Sequence, residues 1–193
     1  KGPEWKVKDV LPAYIEYGAS ALSVLTDQPF FGGDLNDLLE ARTFSPIPLL
    51  RKDFIIDTWQ IAEAKAFGAD VILLIAACLT PEQVQQFARY AASLGLEVLL
   101  ELHAPEELGH ICEETNIIGI NNRDLRTFRV DVEQSLRMAA SIGKDKLLVA
   151  ESGISDPKEV LRFRRHGFSG FLMGEHFMKE SDPGAAFARF AGS

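Results

Sequence analysis

The length, composition and charge of this chain limit the kinds of protein it can be. Its 193 residues are 47% hydrophobic, which is enough to bury a substantial core and is explained most simply by one domain, 1–193. The formal net charge of −8 argues against nucleic acid as a partner, because a polyanion would meet a repulsive field over most of the surface. A small anionic ligand stays compatible if positive charge is concentrated locally.

Cysteine use and hydropathy indicate the compartment. Cys78 and Cys112 are too few for a disulfide framework and lack metal-ligand spacing, so we expect reduced thiols. No apolar run approaches the roughly 18 residues of a membrane span, and the first residues lack the apolar region of a signal peptide. We therefore expect a cytoplasmic protein with no membrane partner.

Short apolar runs alternate with segments of helical spacing along the chain. Between Pro81 and Gly95, apolar residues recur at intervals of three and four, and Thr80 provides a helix cap. Glycines at positions 18, 68, 95 and 167 stand where a helix should stop before the next strand. This alternation predicts an α/β fold of parallel βα units. The seven predicted strands lie near 19–25, 48–55, 70–77, 97–103, 117–121, 146–151 and 170–174.

Several of these runs end in a charged or polar residue. Lys52, Glu101, Asn121 and Glu151 each follow a buried run, as expected when the carboxyl ends of parallel strands form a polar site. A lysine, carboxylates and amides can transfer protons and hold an anion, but they supply no obvious metal cage. This pattern indicates an acid/base enzyme without a metal.

The distribution of these polar strand ends favours a barrel over an open sheet. In an open doubly wound sheet they would cluster at one switch point, whereas here they occur on most strands. A complete barrel of this class needs eight strands, and seven are predicted. The chain opens with a short polar stretch that runs into a helix-like segment, 10–17, so we expect the missing strand to precede residue 1.

Three motifs closely resemble the indole-3-glycerol phosphate synthase family. They are Leu49-Leu-Arg-Lys-Asp-Phe54, Gly119-Ile-Asn-Asn-Arg123 and Ala150-Glu-Ser-Gly-Ile154, in the order that the family has them. The resemblance covers essentially the whole chain. It implies a (β/α)8 TIM barrel in which strands 2 to 8 are present and strand 1 is missing, that is, a single barrel domain that is incomplete at its N-terminus.

The resemblance also implies a reaction. The family is a carboxy-lyase of tryptophan biosynthesis that converts 1-(o-carboxyphenylamino)-1-deoxyribulose 5-phosphate to indole-3-glycerol phosphate, with release of carbon dioxide and water. No cofactor and no metal are expected. The expected partner is the small phosphorylated substrate, and we expect a monomer, with association with other tryptophan-pathway enzymes as an alternative.

Residue by residue, the resemblance assigns roles in catalysis. Lys52 matches the general acid, and Glu101 matches a carboxylate that removes a proton. Asn121 and Ser152 match residues that orient the substrate, and Arg123 matches a basic group near it. These types suit the chemistry, because ring closure develops negative charge on the sugar carbonyl oxygen and the later dehydration needs both a base and an acid.

The remaining expected site residues bind the substrate. By resemblance, the loops Glu151-Ser-Gly153 and Met173-Gly-Glu175 hold the phosphate, with Gly153 and Gly174 allowing close backbone approach and amides at a following helix start favouring an anion. Phe31 and Leu73 match apolar positions where the aromatic ring of the substrate would need hydrophobic walls.

The chain departs from the family pattern at its N-terminus. The family's first strand carries a second catalytic lysine and a glutamate, followed by a Ser-Pro-Ser turn, and these are not in the sequence. Two alternatives therefore stay open: an inactive fragment or non-catalytic barrel that binds a phosphate ligand, and an enzyme similar to phosphoribosylanthranilate isomerase. The second would rely on a cysteine and an aspartate at strand ends, and Cys78 is poorly placed for that role.

Several residues also have plain structural explanations. Glu151 is as well explained as a partner for a cation at the barrel mouth as by direct chemistry. His103 is interpreted as a surface or loop histidine rather than a proton carrier, and Trp59 as packing its helix against the sheet. Arg51 and Asp53 are interpreted as a supporting ion pair or a helix cap, and positions 87 and 163, both phenylalanine, as helix core.

Overall fold

The computed structural model describes residues 5–123 and 129–192, and within them seven parallel strands form one sheet in chain order. The predicted strands are confirmed, with bounds that differ by a few residues. The strands are β1 (Leu22–Leu25), β2 (Leu49–Lys52), β3 (Val71–Ile75), β4 (Glu97–Leu102), β5 (Ile117–Asn121), β6 (Leu147–Glu151) and β7 (Phe168–Leu172).

Helices precede, separate and follow the strands along the chain, and they pack on one face of the sheet. They are α1 (Val7–Glu16), α2 (Gln28–Phe31), α3 (Leu35–Phe44), α4 (Thr58–Ala66), α5 (Pro81–Ser93), α6 (Val132–Ala139), α7 (Pro157–Arg165), α8 (Glu175–Met178) and α9 (Pro183–Ala191). Two 3₁₀ helices, Ala76–Cys78 and Pro105–His110, follow β3 and β4. No helix in the described ranges is long and apolar enough to cross a membrane.

Helix α5 follows the prediction from its cap to its end. The Thr80 hydroxyl accepts the N–H of Gln83, and the Gln83 side chain returns to the N–H of Thr80, which makes a capping box. Phe87, one of its predicted core residues, is buried against the sheet. Gly95 ends the helix with φ +68°, a left-handed conformation that glycine adopts without strain.

The two faces of the sheet bury different clusters. The outward face and the helices enclose the larger core, which includes Phe163, as predicted. The inward face holds a smaller apolar cluster, and the two clusters alternate along β2, β3 and β4 because successive side chains point to opposite faces. The buried members of the inward cluster are Leu50, Leu73, Ile75 and Leu99.

The sheet curls around this inward cluster. In a flat sheet, four strand spacings of about 4.8 Å would separate β2 from β6 by roughly 19 Å. Lys52 at the end of β2 nevertheless lies 3.8 Å from Glu151 at the end of β6, measured from Nζ to Oε2. Within the described residues, β1 pairs only with β2 and β7 only with β6.

Arg51 shows how the outward face of β2 is fixed. Its guanidinium is buried and pairs with Asp53 at 3.1 Å, so the predicted ion pair is confirmed. It also pairs with Glu63 and donates to the carbonyl of Gln60, both on α4. Because neighbouring residues in a strand point to opposite faces, these bonds on Arg51 leave Lys52 directed inward.

The prediction for Trp59 is wrong. Its side chain is 66% exposed, although it lies near the start of α4. The face of α4 that meets the sheet carries Ile61 and Ala64, three residues apart and both fully buried. Trp59 is two positions before Ile61, about 200° around the helix axis, and so faces away from the sheet.

Candidate active site

Four of the predicted site residues meet on the inward face at the carboxyl ends of the strands. They are Lys52 on β2, Glu101 on β4, Asn121 on β5 and Glu151 on β6. The strand register places Asn121 directly opposite Glu151. The inward apolar cluster lies one layer below, since Leu50 and Leu99 each precede a site residue by two positions.

The ammonium of Lys52 lies between two carboxylates. Its Nζ is 3.3 Å from Oε2 of Glu101, to which it donates a hydrogen bond, and 3.8 Å from Oε2 of Glu151. Both carboxylates are almost completely buried, whereas Lys52 keeps some solvent access. One ammonium group therefore lies within 4 Å of two buried carboxyl groups.

Burial and pairing push the pKa values of the two acids apart. Burial alone would raise the pKa of Glu101, but contacts with His103, Lys52 and Asn121 outweigh it and hold that pKa below its ordinary value. Burial raises the pKa of Glu151 well above its ordinary value, and the charge on Glu101 raises it further. The site thus favours an ionised Glu101 beside a protonated Glu151.

Lys52 is held in its charged form. Burial lowers its pKa, but the nearby carboxylates of Glu101 and Glu151 outweigh burial, so the pKa is raised. Its Nζ also lies 5.5 Å from the ring centroid of Phe31, within the range of a cation–π contact. The mouth therefore contains a fixed ammonium that can donate a proton or stabilise an oxyanion.

Asn121 connects this group to the next loop. Its Nδ2 donates to Oε1 of Glu101 at 2.9 Å, and its Oδ1 accepts the backbone N–H of Arg123 at 3.0 Å. Arg123 is partly exposed, and its guanidinium pairs with Glu175 at 2.7 Å. Arg123 and Glu175 thus join the loop after β5 to the start of α8.

The loop after β6 has an unusual backbone. Ser152 has φ +61° and Gly153 has φ +70°, so two consecutive residues are left-handed, and Ser152 is the one non-glycine residue with positive φ in the described chain. Asn122 supports this loop, because its Nδ2 donates to the carbonyl of Ser152 at 2.8 Å. Consecutive backbone N–H groups in such turns can form an anion-binding concavity.

The helix starts near the predicted phosphate loops differ from the expectation. After Gly153 the next helix, α7, begins only at Pro157, and the side chain of Asp156 already caps it. Gly174 directly precedes α8 and no side chain caps that end, but α8 is only four residues long. The loop amides, rather than a long helix end, are therefore the groups available to an anion.

An aromatic wall borders the polar group. Phe31 at the end of α2 stacks on Phe54 with ring centroids 4.9 Å apart, and Phe30 meets Phe54 edge to face. Leu73 lies deeper, fully buried in the inward cluster beneath the mouth. Phe54 is the last residue of the motif 49–54, but the sequence did not assign it to the site.

His103 is the main residue that sequence reasoning missed. It lies in the loop directly after β4, as interpreted, but its side chain is only 8% exposed and is not on the surface. Nε2 lies 2.9 Å from Oε1 of Glu101, although the two are not aligned as in a linear hydrogen bond. The available signal was the two-residue spacing, which puts both side chains on one face of an extended segment.

The described residues contain no evident metal site. In residues 5–123 and 129–192, no cluster of three or more histidine, cysteine or acidic side chains could hold a metal ion. At the carboxyl ends of the curled parallel sheet, a lysine lies between two buried carboxylates, beside an aromatic wall. Fold and site together define a β/α-barrel protein with paired basic and acidic groups at its strand ends.

Comparison with known proteins specifies the family. A family model described as indole-3-glycerol phosphate synthase matches residues 4–190. The protein of that name from Bacteroides thetaiotaomicron is 52% identical over 187 residues, which are 97% of this chain and 72% of the relative. That from Polaromonas naphthalenivorans is 46% identical over 185 residues, 95% of this chain and 70% of the relative. The chain belongs to the indole-3-glycerol phosphate synthase family.

Solved structures support the barrel architecture. The 3-hexulose-6-phosphate synthase of Salmonella typhimurium superposes with a TM-score of 0.80 at 14% identity, covering 98% of this chain and 93% of that one. The tryptophan synthase α-subunit of Pyrococcus furiosus gives a TM-score of 0.71 at 18% identity, with 96% and 89% covered. At these identities the likeness establishes the fold alone, a TIM-barrel-like α/β fold.

Proposed function

We propose that this protein catalyses the reaction that names its family, the closure of an indole ring on 1-(o-carboxyphenylamino)-1-deoxyribulose 5-phosphate to give indole-3-glycerol phosphate. The observation that carries the proposal is the Lys52–Glu101 pair, with Nζ and Oε2 3.3 Å apart at the barrel mouth. An ammonium and an ionised carboxylate in contact can supply the acid and the base that the reaction needs.

Lys52 acts at the first step. The aromatic carbon that bears the carboxylate bonds to the sugar carbonyl carbon, and negative charge develops on the carbonyl oxygen. The Lys52 ammonium stabilises this oxygen and gives it a proton. Loss of carbon dioxide then restores the aromatic ring. The raised pKa of Lys52 supports this role, because the group stays charged until the charge on the substrate develops.

Glu101 acts at the dehydration. The hydroxyl that was formed from the carbonyl leaves as water when an acid protonates it, and the double bond of the indole forms when a base removes a proton from the substrate. The lowered pKa of Glu101 supports the base role, because the carboxylate is ionised near neutral pH. Asn121 orients this carboxylate through the bond to Oε1.

The other groups bind the substrate in this proposal. The loop amides at Ser152 and Gly153, together with Gly174, hold the phosphate, and Arg123 adds positive charge nearby. Phe31 covers the aromatic ring of the substrate, and Leu73 lines the floor. Glu151 and Glu175 are assigned to substrate binding through the cations that they contact, Lys52 and Arg123.

Turnover of the synthetic substrate tests the proposal. Incubation of the purified chain with the carboxyphenylamino substrate should produce indole fluorescence and one equivalent of carbon dioxide per product. Phosphoribosylanthranilate, offered separately, should give no product. Binding of the first substrate without turnover would instead support a non-catalytic barrel, and turnover of phosphoribosylanthranilate would support an isomerase.

The isomerase alternative has weaker support at its key residue. Cys78 lies in the 3₁₀ helix after β3, and burial together with the charges of Glu101 and Glu107 raises the pKa of its thiol. A thiol that stays protonated near neutral pH is a poor general base. The acid/base pair of Lys52 and Glu101 therefore favours ring closure.

For the fold, we propose that β1 to β7 occupy the positions of strands 2 to 8 in an eight-stranded barrel. The open edges of β1 and β7 would both pair with one further parallel strand. Its source can be tested by measuring the intact mass of the natural polypeptide against 21.3 kDa. A heavier polypeptide would support a strand within the same chain, and an equal mass would contradict it.

A further inference from the structure

His103 occupies a buried position beside the proposed base. It follows β4 directly, and its Nε2 lies 2.9 Å from Oε1 of Glu101. Burying an imidazole without well-aligned hydrogen bonds is costly, and neither of its ring nitrogens has one among the described residues. An apolar side chain would fill the same buried position without the cost of burying two ring nitrogens. The contact of His103 with Glu101 therefore needs an explanation.

The two oxygens of Glu101 have different neighbours. Oε1 accepts a hydrogen bond from Asn121 at 2.9 Å and faces His103 at the same distance. Oε2 faces Lys52 at 3.3 Å. Two groups on one oxygen limit rotation of the carboxylate, so the other oxygen stays directed at the lysine.

The backbone of His103 is held in place by the surrounding segments. Oε2 of Glu107 accepts the backbone N–H groups of His103 and Ala104 at 2.6 and 3.3 Å, and lies 3.9 Å from Nδ1 of His103. On the other side, Gln134 of α6 donates to the carbonyl of His103 at 2.8 Å. Hydrogen bonds with the 3₁₀ helix 105–110 and with α6 thus fix the backbone position of His103.

We propose that His103 is a positioning residue for Glu101: its imidazole holds Oε1 against Asn121 so that Oε2 stays directed at Lys52 and the substrate. The inference rests on the proposed function, in which Glu101 is the base. It deepens that function by adding a residue that touches no reacting atom but determines where the base points.

The ionised state of Glu101 should depend on the same contact. The charged or titratable groups that face Glu101 are Lys52 from β2, Glu151 from β6, Cys78 after β3 and His103 itself, which Glu107 flanks. The approach of His103 to 2.9 Å favours the carboxylate, together with the contacts of Lys52 and Asn121. Removing the imidazole leaves the effect of burial less opposed, so the pKa of Glu101 should rise.

Two substitutions at this position separate positioning from packing. His103→Leu keeps an apolar side chain of moderate size but has no donor, whereas His103→Gln offers an amide donor at a reach close to that of Nε2. His110→Leu is the matched control, because His110 is also partly buried and contacts the carbonyls of Glu107 and Leu79 rather than Glu101.

The measurements are the pH dependence of kcat/KM and the titration of Glu101 by ¹³C NMR. We expect His103→Leu to lower kcat about tenfold to a hundredfold, as expected for a displaced catalytic group. KM should change little, and the acid limb and the Glu101 pKa should both move to higher pH. In His103→Gln, kcat, the acid limb and the Glu101 pKa should stay close to their wild-type values. His110→Leu should change stability without moving the acid limb.

Two outcomes would overturn the proposal. One is an unchanged Glu101 titration in His103→Leu, and the other is an equal loss in the leucine and glutamine variants. The NMR titration needs no turnover, so it tests His103 even if the wild-type chain proves inactive, which would count against the proposed function alone. If His103→Leu does not fold, His103→Asn takes its place, because the asparagine amide is too short to reach Oε1. The proposal then requires the Glu101 pKa to rise less in His103→Gln than in His103→Asn. An equal rise in the two variants would overturn it.

Discussion

The ammonium of Lys52 and the carboxylate of Glu101, 49 positions apart in the chain, meet at 3.3 Å inside the curled sheet. Strand β3 lies between the strands that carry them. Two strand spacings of about 4.8 Å are within reach of a lysine side chain that points across the interior. The pair therefore depends on strand order and on a lysine side chain that points across the interior.

Removal of the lysine charge should abolish most of the activity. We expect Lys52→Met to lower kcat by roughly a hundredfold or more, the scale of a positioned proton-transfer group. Steady-state kinetics with the carboxyphenylamino substrate measure this. Lys8→Met, at an exposed position on α1, is the control and should be neutral. Near-normal turnover of Lys52→Met would remove this lysine from the mechanism.

Neutralising the proposed base should have a similar effect. Glu101→Gln keeps the shape and the contact with Asn121 but cannot accept a proton, so turnover should again fall by roughly a hundredfold or more. Product affinity, measured by fluorescence titration, should change much less. A variant with normal kcat would show that another group removes the proton.

Glu151 should make stability depend on pH with a defined sign. Its pKa is raised in the folded state, so the protonated carboxyl contributes stability below the unfolded value of about 4.3, and this contribution is lost as the pH rises toward the folded pKa. Glu151→Gln cannot ionise. Between these two pKa values, the free energy of unfolding of Glu151→Gln should rise relative to that of wild type by up to about 1.4 kcal/mol per pH unit.

Denaturant unfolding at pH 5 and pH 8 measures this difference. The gain of Glu151→Gln over wild type should be larger at pH 8 than at pH 5. Glu106→Gln, at an exposed position, should show no such trend. A constant difference between Glu151→Gln and wild type across pH would contradict a raised pKa at Glu151.

Gly153 should be required for binding of the phosphorylated substrate. At φ +70°, a Cβ would lie 2.5 Å from Cγ1 of Val130, so Gly153→Ala strains the loop and displaces its amides. We expect KM to rise about tenfold, equivalent to about 1.4 kcal/mol. Gly109→Ala is the control, because a Cβ there meets nothing within 4 Å. An unchanged KM would argue against phosphate binding at this loop.

Two aromatic truncations should separate core from surface. Phe163→Ala removes a fully buried ring and should lower the free energy of unfolding by about 3–5 kcal/mol. Trp59→Ala removes a larger ring that is mostly exposed, so its effect should stay within about 0.5 kcal/mol. Urea unfolding compares the two. A large loss in Trp59→Ala would mean that the indole packs against the protein after all.

The order of strands and helices could be predicted from local patterns. The run before Lys52 and the stripe of α5 appear in the sequence because burial on one or both faces requires apolar residues at fixed intervals. The end of α5 at Gly95 could be predicted for a similar reason, since a left-handed residue is needed there. These features depend on neighbours a few positions away.

The details of the site depend on contacts between distant segments. The sequence by itself determined the parallel βα order and placed Lys52 and Glu101 at strand ends, because period and punctuation are local properties. Only the tertiary structure decided that His103 is buried against Glu101 and that Glu151 is driven toward its protonated form. The curl of the sheet sets the distances among these groups and their exclusion from water, and those two quantities decide which of two chemically identical carboxyls carries the charge.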